Sequence, residues 1–363
     1  MYPNIPYEGL SWPITQHAGV LKAEVFDGLL NACLLCKGET IDAKKINGYL
    51  VNNGILTANV RADSNQVDAW RDYQQILSEF GLIYSTRITK VLTLTPIAMA
   101  YLNKNLSYPE LITLQLLRYQ YPNGHKSQLS PSLMQSYGEN FNYESFTELQ
   151  AHYNIQIRPA ALIWKILYKL WESGEQPILS LDEMQAYAVR CTTMLDYSLC
   201  TESIIASRHG GQQLQPLTRA RRNMSDWMKL LSQTLLFNVS SDGNNIALSA
   251  YSIKERKSVD CVCKRLSDSS SFWIYKEENF KQDWFDYYGD YDIGMLPDYQ
   301  DKGYGTKLLG FIKDYISSNG FFEMFVLTDK GNPRACHVYE KLGGKNDFED
   351  EICYVYDFEG DEK

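Results

Sequence analysis

From about residue 21 to residue 236 the apolar positions recur mostly at helical spacing. From residue 293 onward they fall into short runs separated by glycine turns. The first part predicts a helix over 21–37 and a second over 43–53, opened by Asp42 and stopped by Gly54. A third starts at Asp63 or Ser64, runs through Trp70, Tyr73, Ile76, Leu77 and Phe80, and stops at Gly81. Residues 82–84 and 91–94 read as two strands, and Thr95-Pro96 opens a further helix as N-cap and first residue. Helices follow over 108–121 and 158–173, the latter strongly apolar (Ile163, Trp164, Ile166, Leu167, Leu170). Ser180, with Glu183 three residues on, predicts a capping box for a helix running towards Cys191 or on to Cys200. An amphipathic segment spans 227–236. Residues 246–253, 258–263 and 272–275 read as strands, and the aromatic run 284–289 lines a pocket or closes a core.

Helix, helix, hairpin, helix at the start of the chain is the outline of a winged helix. Its hairpin tip carries Arg87 and Lys90, cations of the kind that meet DNA phosphates, although many such modules contact only protein. A second basic cluster, Arg208, Arg219, Arg221 and Arg222, precedes the 227–236 segment. Clustered arginines before a helix hold phosphates, or else form a solvated face paired with carboxylates.

The end of the chain carries denser chemistry. Residues 293–296 form an apolar run, followed by Gln300-Asp301-Lys302-Gly303-Tyr304-Gly305 and then by Leu308, Leu309, Ile312 and Ile316 at helical spacing. Two glycines at a strand-to-helix turn let backbone N–H groups approach an anion, which the positive end of the helix dipole favours further. Such a turn suits a pyrophosphate. Residues 321–327 read as a strand, Asn332 follows, and a short helix carries Ala335, Val338, Tyr339 and Leu342. Gly343-Gly344 stops that helix, and residues 352–358 form a last strand.

This order resembles the GNAT family of acyl-CoA-dependent N-acetyltransferases, through the Gln-x-x-Gly-x-Gly turn, Asn332, Ala335 and the run from Val338 to Gly343. The tail, with Gly344 where many members have an aromatic residue, is most similar to the aminoglycoside 3-N-acetyltransferase branch. The resemblance implies acetyl transfer from acetyl-CoA to a primary amine. It implies that Gln300, Asp301, Lys302, Gly303, Tyr304, Gly305 and Thr306 hold the pyrophosphate, that Asn332 contacts the pantetheine arm or orders a water, and that Tyr339 protonates the leaving thiolate. It begins at about Asp290, so that the front half of the family domain is either divergent within the preceding residues or absent.

A second resemblance covers roughly residues 10–250. The stretches 82–102, 111–127, 157–184 and 221–237 resemble the helical and winged-helix part of AlwI-type restriction endonucleases and related phage-defence proteins. It implies recognition of duplex DNA. The nearest approach to a metal-nuclease cluster is Asp260 with Lys264, whose spacing does not match one. The rival to the transferase is therefore a DNA-binding defence or regulatory protein with a non-catalytic GNAT-like remnant.

Charge sharpens the first reading. The net charge of −9 falls wholly in residues 261–363, with 21 acidic and 12 basic side chains, while residues 1–260 balance. Asp347, Glu349, Asp350 and Glu351 would attract a cationic acceptor such as a polyamine, an aminoglycoside or a protein lysine, unless they form only a solvated tail. The eight cysteines include a C-x-x-C at Cys33 and Cys36 and a C-x-C at Cys261 and Cys263, read as buried small side chains rather than zinc ligands, and no metal is predicted. No apolar run spans a bilayer and the N-terminus does not read as a signal peptide, so the cytoplasm is expected and no membrane partner. The resulting expectation is an α/β protein: a winged-helix-like domain over 1–105, a helical domain over 106–240 and a GNAT-like domain over 241–363.

Overall fold

The computed structural model describes residues 2–3, 5, 11–14, 22–55, 67–84, 89–121, 123, 150, 152–218, 220–267, 288–289, 304–319, 324, 326 and 333–345. The chain divides into two compact units, Met1–Tyr291 and Asp292–Lys363. The described residues are mostly helical, with one small antiparallel sheet.

The first unit opens with α1 (Ala23–Leu35), α2 (Ala43–Asn52) and α3 (Val67–Glu79). Asp42 caps α2, its carboxylate accepting from the backbone N–H groups of Lys44 and Lys45 at 2.9 and 3.1 Å. In place of two paired strands, residues 82–84 and 91–94 make isolated antiparallel bridges, Ile83 with Leu94 and Thr40 with Val91. Then come α4 (Pro96–Leu102) and α5 (Tyr108–Arg118), the latter with a Ser107–Glu110 capping box. The predicted helix over 108–121 stops early because Tyr121 turns extended and bridges Ile157.

The core is built around α6 (Pro159–Glu172). Ala160 to Trp164, Ile166, Leu167 and Leu170 are all buried, so this helix is apolar nearly all round and packs on several sides. α5 packs against it, as do α8 (Tyr197–Arg208) and α11 (Arg256–Ser267). Trp164 stacks on Tyr168 at 4.8 Å and donates its indole N–H to Ser252 Oγ at 3.2 Å.

The sheet runs β1 (Ile178–Ser180), β3 (Asn245–Leu248), β2 (Phe237–Val239) across its width, all antiparallel. Leu179 faces Ile246, and Phe237 faces Leu248, closing one side of the core. Directly after β1, α7 (Leu181–Ala186) carries the expected capping box: Glu183 N–H donates to Ser180 Oγ at 3.1 Å and Ser180 N–H to Glu183 Oε2 at 2.9 Å. The helix ends after six residues and gives way to short 3₁₀ turns, instead of running on to Cys191. Arg208 then grips Glu183 with two nitrogens, at 2.7 and 3.0 Å, and the carbonyls of Gln176 and Ile178. Its place is structural, pinning the end of α8 to β1 and α7. Ser180→Ala is expected to cost about 1 kcal/mol, and Glu183→Ala roughly 2 kcal/mol because the bidentate arginine loses its partner as well. Urea unfolding of the two variants checks that order.

Two strand expectations are corrected. Residues 246–253 are a strand only to Leu248; Ser249 Oγ accepts Ser252 N–H at 3.0 Å and starts α10 (Ala250–Lys254). Residues 258–263 lie in α11, not in a strand. Val259 and Cys263, four residues apart, are buried against the core while Val262 is exposed. The period is helical, and the alternation of six residues imitated a strand.

A buried anchor closes the first unit. Tyr288 is enclosed beside Gly81, and Gln115 is its clamp: the amide donates to the carbonyls of Phe80 (2.7 Å) and Tyr288 (2.9 Å), while Tyr288 Oη donates to Gln115 O at 2.8 Å. Ile97 N–H donates to Gly289 O at 2.8 Å. Gly81 has a φ of +66°, and a Cβ there would lie 2.4 Å from the Tyr288 ring, so both its backbone and its missing side chain are required.

The second unit contains α12 (Tyr304–Ser318) and α13 (Pro333–Lys341), packed together. The strands expected over 293–296, 321–327 and 352–358 lie outside the described residues, except Met324 and Val326, which belong to no assigned strand. The strand expected over 272–275 lies outside them too.

Candidate functional site

α12 begins at Tyr304, between the two glycines that the sequence reading places in the turn. Tyr304, Gly305 and Thr306 are helical, so Gly305 belongs to the helix and not to the turn before it. Its φ is ordinary, and among the described residues nothing lies within 4 Å of a Cβ built on it. The glycine therefore serves no left-handed turn. The first-turn N–H groups of this 15-residue helix have no partner inside it, as is general for a helix N-terminus. Gln300, Asp301, Lys302 and Gly303 lie outside the described residues, as does Asn332.

Along α12 Leu308, Leu309, Ile312 and Ile316 are half-buried, with Lys307, Lys313 and Asp314 exposed, as the periodicity predicts. Gly310 faces Leu342 of the following segment, the Leu342 side chain lying 3.9 Å from where a Cβ would sit. Lys313 Nζ donates to Leu342 O at 2.9 Å, placing a cation on the carbonyl end of α13.

α13 ends in a Schellman motif. Gly344 N–H reaches Tyr339 O at 2.9 Å and Gly343 N–H reaches Glu340 O at 3.0 Å, with Gly343 at a φ of +86°. A Cβ on Gly344 would come within 2.9 Å of Tyr339 O, so this glycine is required by the closeness of its own helix end. The cap fixes the turn that carries Tyr339. Tyr339 is half-buried on the stripe of Ala335, Val338 and Leu342. The side chain is therefore neither sealed in a core nor fully in solvent, which suits a hydroxyl that must meet a ligand.

The remaining predicted residues fall in the first unit. Lys90 is exposed beside the Thr40–Val91 bridge, and Arg87 lies outside the described residues. Arg221 and Arg222 sit in the first turn of α9 (Ala220–Leu231), and Arg219 lies outside the described residues. Arg221 reaches Asp182 Oδ1 at 3.3 Å and Arg222 reaches Asp226 Oδ2 at 4.0 Å. Asp260 and Lys264 form an i,i+4 ion pair of 2.6 Å along α11. Cys33 and Cys36 are buried, and burial pushes the Cys33 thiol up. On α11, Cys263 is buried and Cys261 exposed. Among the described residues no three His, Cys, Asp or Glu side chains converge to hold a metal, and no helix is long and apolar enough to cross a membrane. The acidic group 347–351 lies outside them.

Sequence reasoning did not find the Gln115–Tyr288 clamp. The one signal available was the aromatic run 284–289, and of its two readings Tyr288 takes the core-closing one.

Comparison with known proteins adds one positive finding. No curated protein matches the chain significantly. The family model described as acetyltransferase (GNAT) family matches residues 241–344. The match starts in the β2–β3 turn, takes in β3, α10, α11, α12 and α13, and stops at the glycine that completes the Schellman cap. It begins about fifty residues ahead of the motifs that carry the sequence resemblance. The C-terminal part of this chain is thus similar to the GNAT acetyltransferase family over residues 241–344.

Proposed function

We propose that the protein is an acetyl-CoA-dependent N-acetyltransferase acting on a primary amine. What supports this reading is the family match together with a helix, α12, whose first turn holds Gly305 at the position where the resemblance implies a pyrophosphate. The residues fit the group: among the described residues none lies within 4 Å of a Cβ at Gly305, and first-turn N–H groups would donate to phosphate oxygens. Bound there, acetyl-CoA supplies an activated acetyl thioester.

The chain's own work is then limited. The first turn of α12 fixes the pyrophosphate and so the direction of the thioester arm. Tyr339, held by the α13 cap, donates its phenolic proton to the sulfur that departs as the amine attacks. The acceptor is cationic in solution and loses a proton before it attacks; the acidic balance of residues 261–363 favours its arrival. The acceptor class that fits is a polyamine, an aminoglycoside or a protein lysine. Tyr339→Phe is expected to lower turnover roughly 10²-fold, within the usual range for a general acid, with acetyl-CoA affinity changed less than about threefold. Steady-state kinetics beside calorimetry separate the two, and equal turnover removes Tyr339 from the role.

A second reading rests on the sequence outline of a winged helix, to which the structure adds only the isolated bridges of Thr40 with Val91 and Ile83 with Leu94. It is a DNA-contacting module of the restriction-endonuclease or phage-defence kind, in which exposed Lys90 would meet phosphates. Under that reading the acetyltransferase module acts beside bound DNA or is a remnant. Salt-dependent binding of duplex DNA, with a shallower salt slope for Lys90→Ala, is its test.

A further inference from the structure

Lys313 lies about two turns along α12 from Gly305, or roughly 12 Å along the axis. Its Nζ donates to Leu342 O at 2.9 Å. Leu342 follows the last residue of α13, where helix geometry leaves the carbonyls without N–H donors of their own. The Schellman turn supplies donors to Tyr339 O and Glu340 O, and the lysine supplies one to Leu342 O. Leu342 N–H in turn donates to Tyr339 O at 3.1 Å, the same oxygen that takes Gly344 N–H at 2.9 Å. A single residue thus stands between the lysine and the backbone of Tyr339.

The other contact at this point is apolar, the Leu342 side chain lying 3.9 Å from where a Cβ on Gly310 would sit. Apolar attraction has no direction, so a helix end held by it alone is free to slide or turn. A hydrogen bond from an ammonium group to one carbonyl has both direction and length. It fixes one turn of α13 at one height along α12.

Under the proposed function the two helices have separate tasks. The first turn of α12 anchors the pyrophosphate, and α13 carries the phenol that gives up a proton. Proton transfer needs heavy atoms about 2.6–3.2 Å apart, and a misplacement of about 1 Å can cost ~10²-fold in rate. The relative position of α12 and α13 therefore enters the rate. We propose that Lys313 is a positioning residue, which by holding Leu342 O keeps the Tyr339 phenol in a fixed place relative to the first turn of α12. This assignment rests on the acetyltransferase reading. Lys313 acts on turnover through Tyr339 and leaves acetyl-CoA binding to the first turn. Its side chain is exposed, and exposed changes seldom alter stability much.

The test uses the full chain with Lys313→Met, which keeps most of the stem and loses the donor, and Lys313→Arg, which keeps a donor. Without any ligand, Lys313→Met should speed hydrogen exchange at the Leu342, Gly343 and Gly344 amides at least about threefold, with the amides of α12 unchanged. Turnover is read as thiol release from acetyl-CoA with spermidine, kanamycin or polylysine, whichever the parent uses fastest. Lys313→Met should lower kcat about five- to tenfold, with acetyl-CoA affinity by calorimetry within about twofold of the parent, and Lys313→Arg should restore most of the loss. In a Tyr339→Phe background Lys313→Met should lower kcat no further, because the group it positions is gone, whereas a merely structural role would multiply the two losses. Unchanged exchange, unchanged kcat, an equal loss of acetyl-CoA affinity, or multiplied losses in the double variant would each overturn the role of Lys313 while Tyr339→Phe alone stays impaired. No thiol release by the parent with any of the three amines, or full turnover in Tyr339→Phe, would instead overturn the reading beneath it.

Discussion

Gly305→Asp is expected to weaken acetyl-CoA binding by at least about 100-fold while leaving the protein folded. Among the described residues nothing lies within 4 Å of a Cβ at this position, and its φ is one that any residue adopts. The carboxylate also stands in the first turn of a helix, where the dipole stabilises an acidic side chain by about 0.3–1 kcal/mol. Folding is thus unharmed, and circular dichroism and melting temperature should match the parent. The same carboxylate falls where the proposed pyrophosphate would sit. Like-charge juxtaposition at a binding surface costs several kcal/mol, and every 1.4 kcal/mol is about tenfold in affinity. Unchanged affinity would mean that this turn holds no pyrophosphate.

Tyr288→Ala is expected to destabilise the first unit by about 3–5 kcal/mol, the range for deleting a buried aromatic. The ring fills the space beside Gly81, and its hydroxyl donates to Gln115 O at 2.8 Å. Gly81→Ala attacks the same contact from the other side. It adds a Cβ 2.4 Å from the ring and asks alanine to hold a φ of +66°, costing about 1–2 kcal/mol for the backbone and 1–3 kcal/mol for overpacking. The two changes share one contact, so the double variant should fall short of their sum. Chemical denaturation of the three proteins measures this; additive losses would show that the ring and Gly81 are not coupled.

The anchor matters because of where the family match begins. Residues 241–291 belong to the first unit by contact, yet they open the acetyltransferase match. β3 is hydrogen-bonded to β1 and β2, which both precede residue 241, and α11 rests on α6. The opening part of the match is therefore built into the helical unit, and a cut at residue 241 would strip β3 of both neighbours.

Legibility in the sequence follows the range of the interactions. Asp42 before α2, Ser180 with Glu183, and Gly343-Gly344 were readable because a cap involves residues two to five positions apart. The apolar sweep of α6 was readable because burial on all sides needs no partner to be named. Val259 and Cys263 misled because six residues of alternation fit both periods until the α6 surface selects one. The Tyr288 clamp was not readable at all, because Gln115 lies 173 residues away. In the candidate site, the pyrophosphate turn was visible as a motif. That Gly305 is helical, with no left-handed φ, needed coordinates.

The most direct test of the central claim is calorimetric titration of the full-length protein with acetyl-CoA. One molecule bound per chain, with binding lost in Gly305→Asp and kept in Tyr339→Phe, is the predicted result. A protein that folds normally but takes up no acetyl-CoA would contradict the account and leave the function with the helical unit.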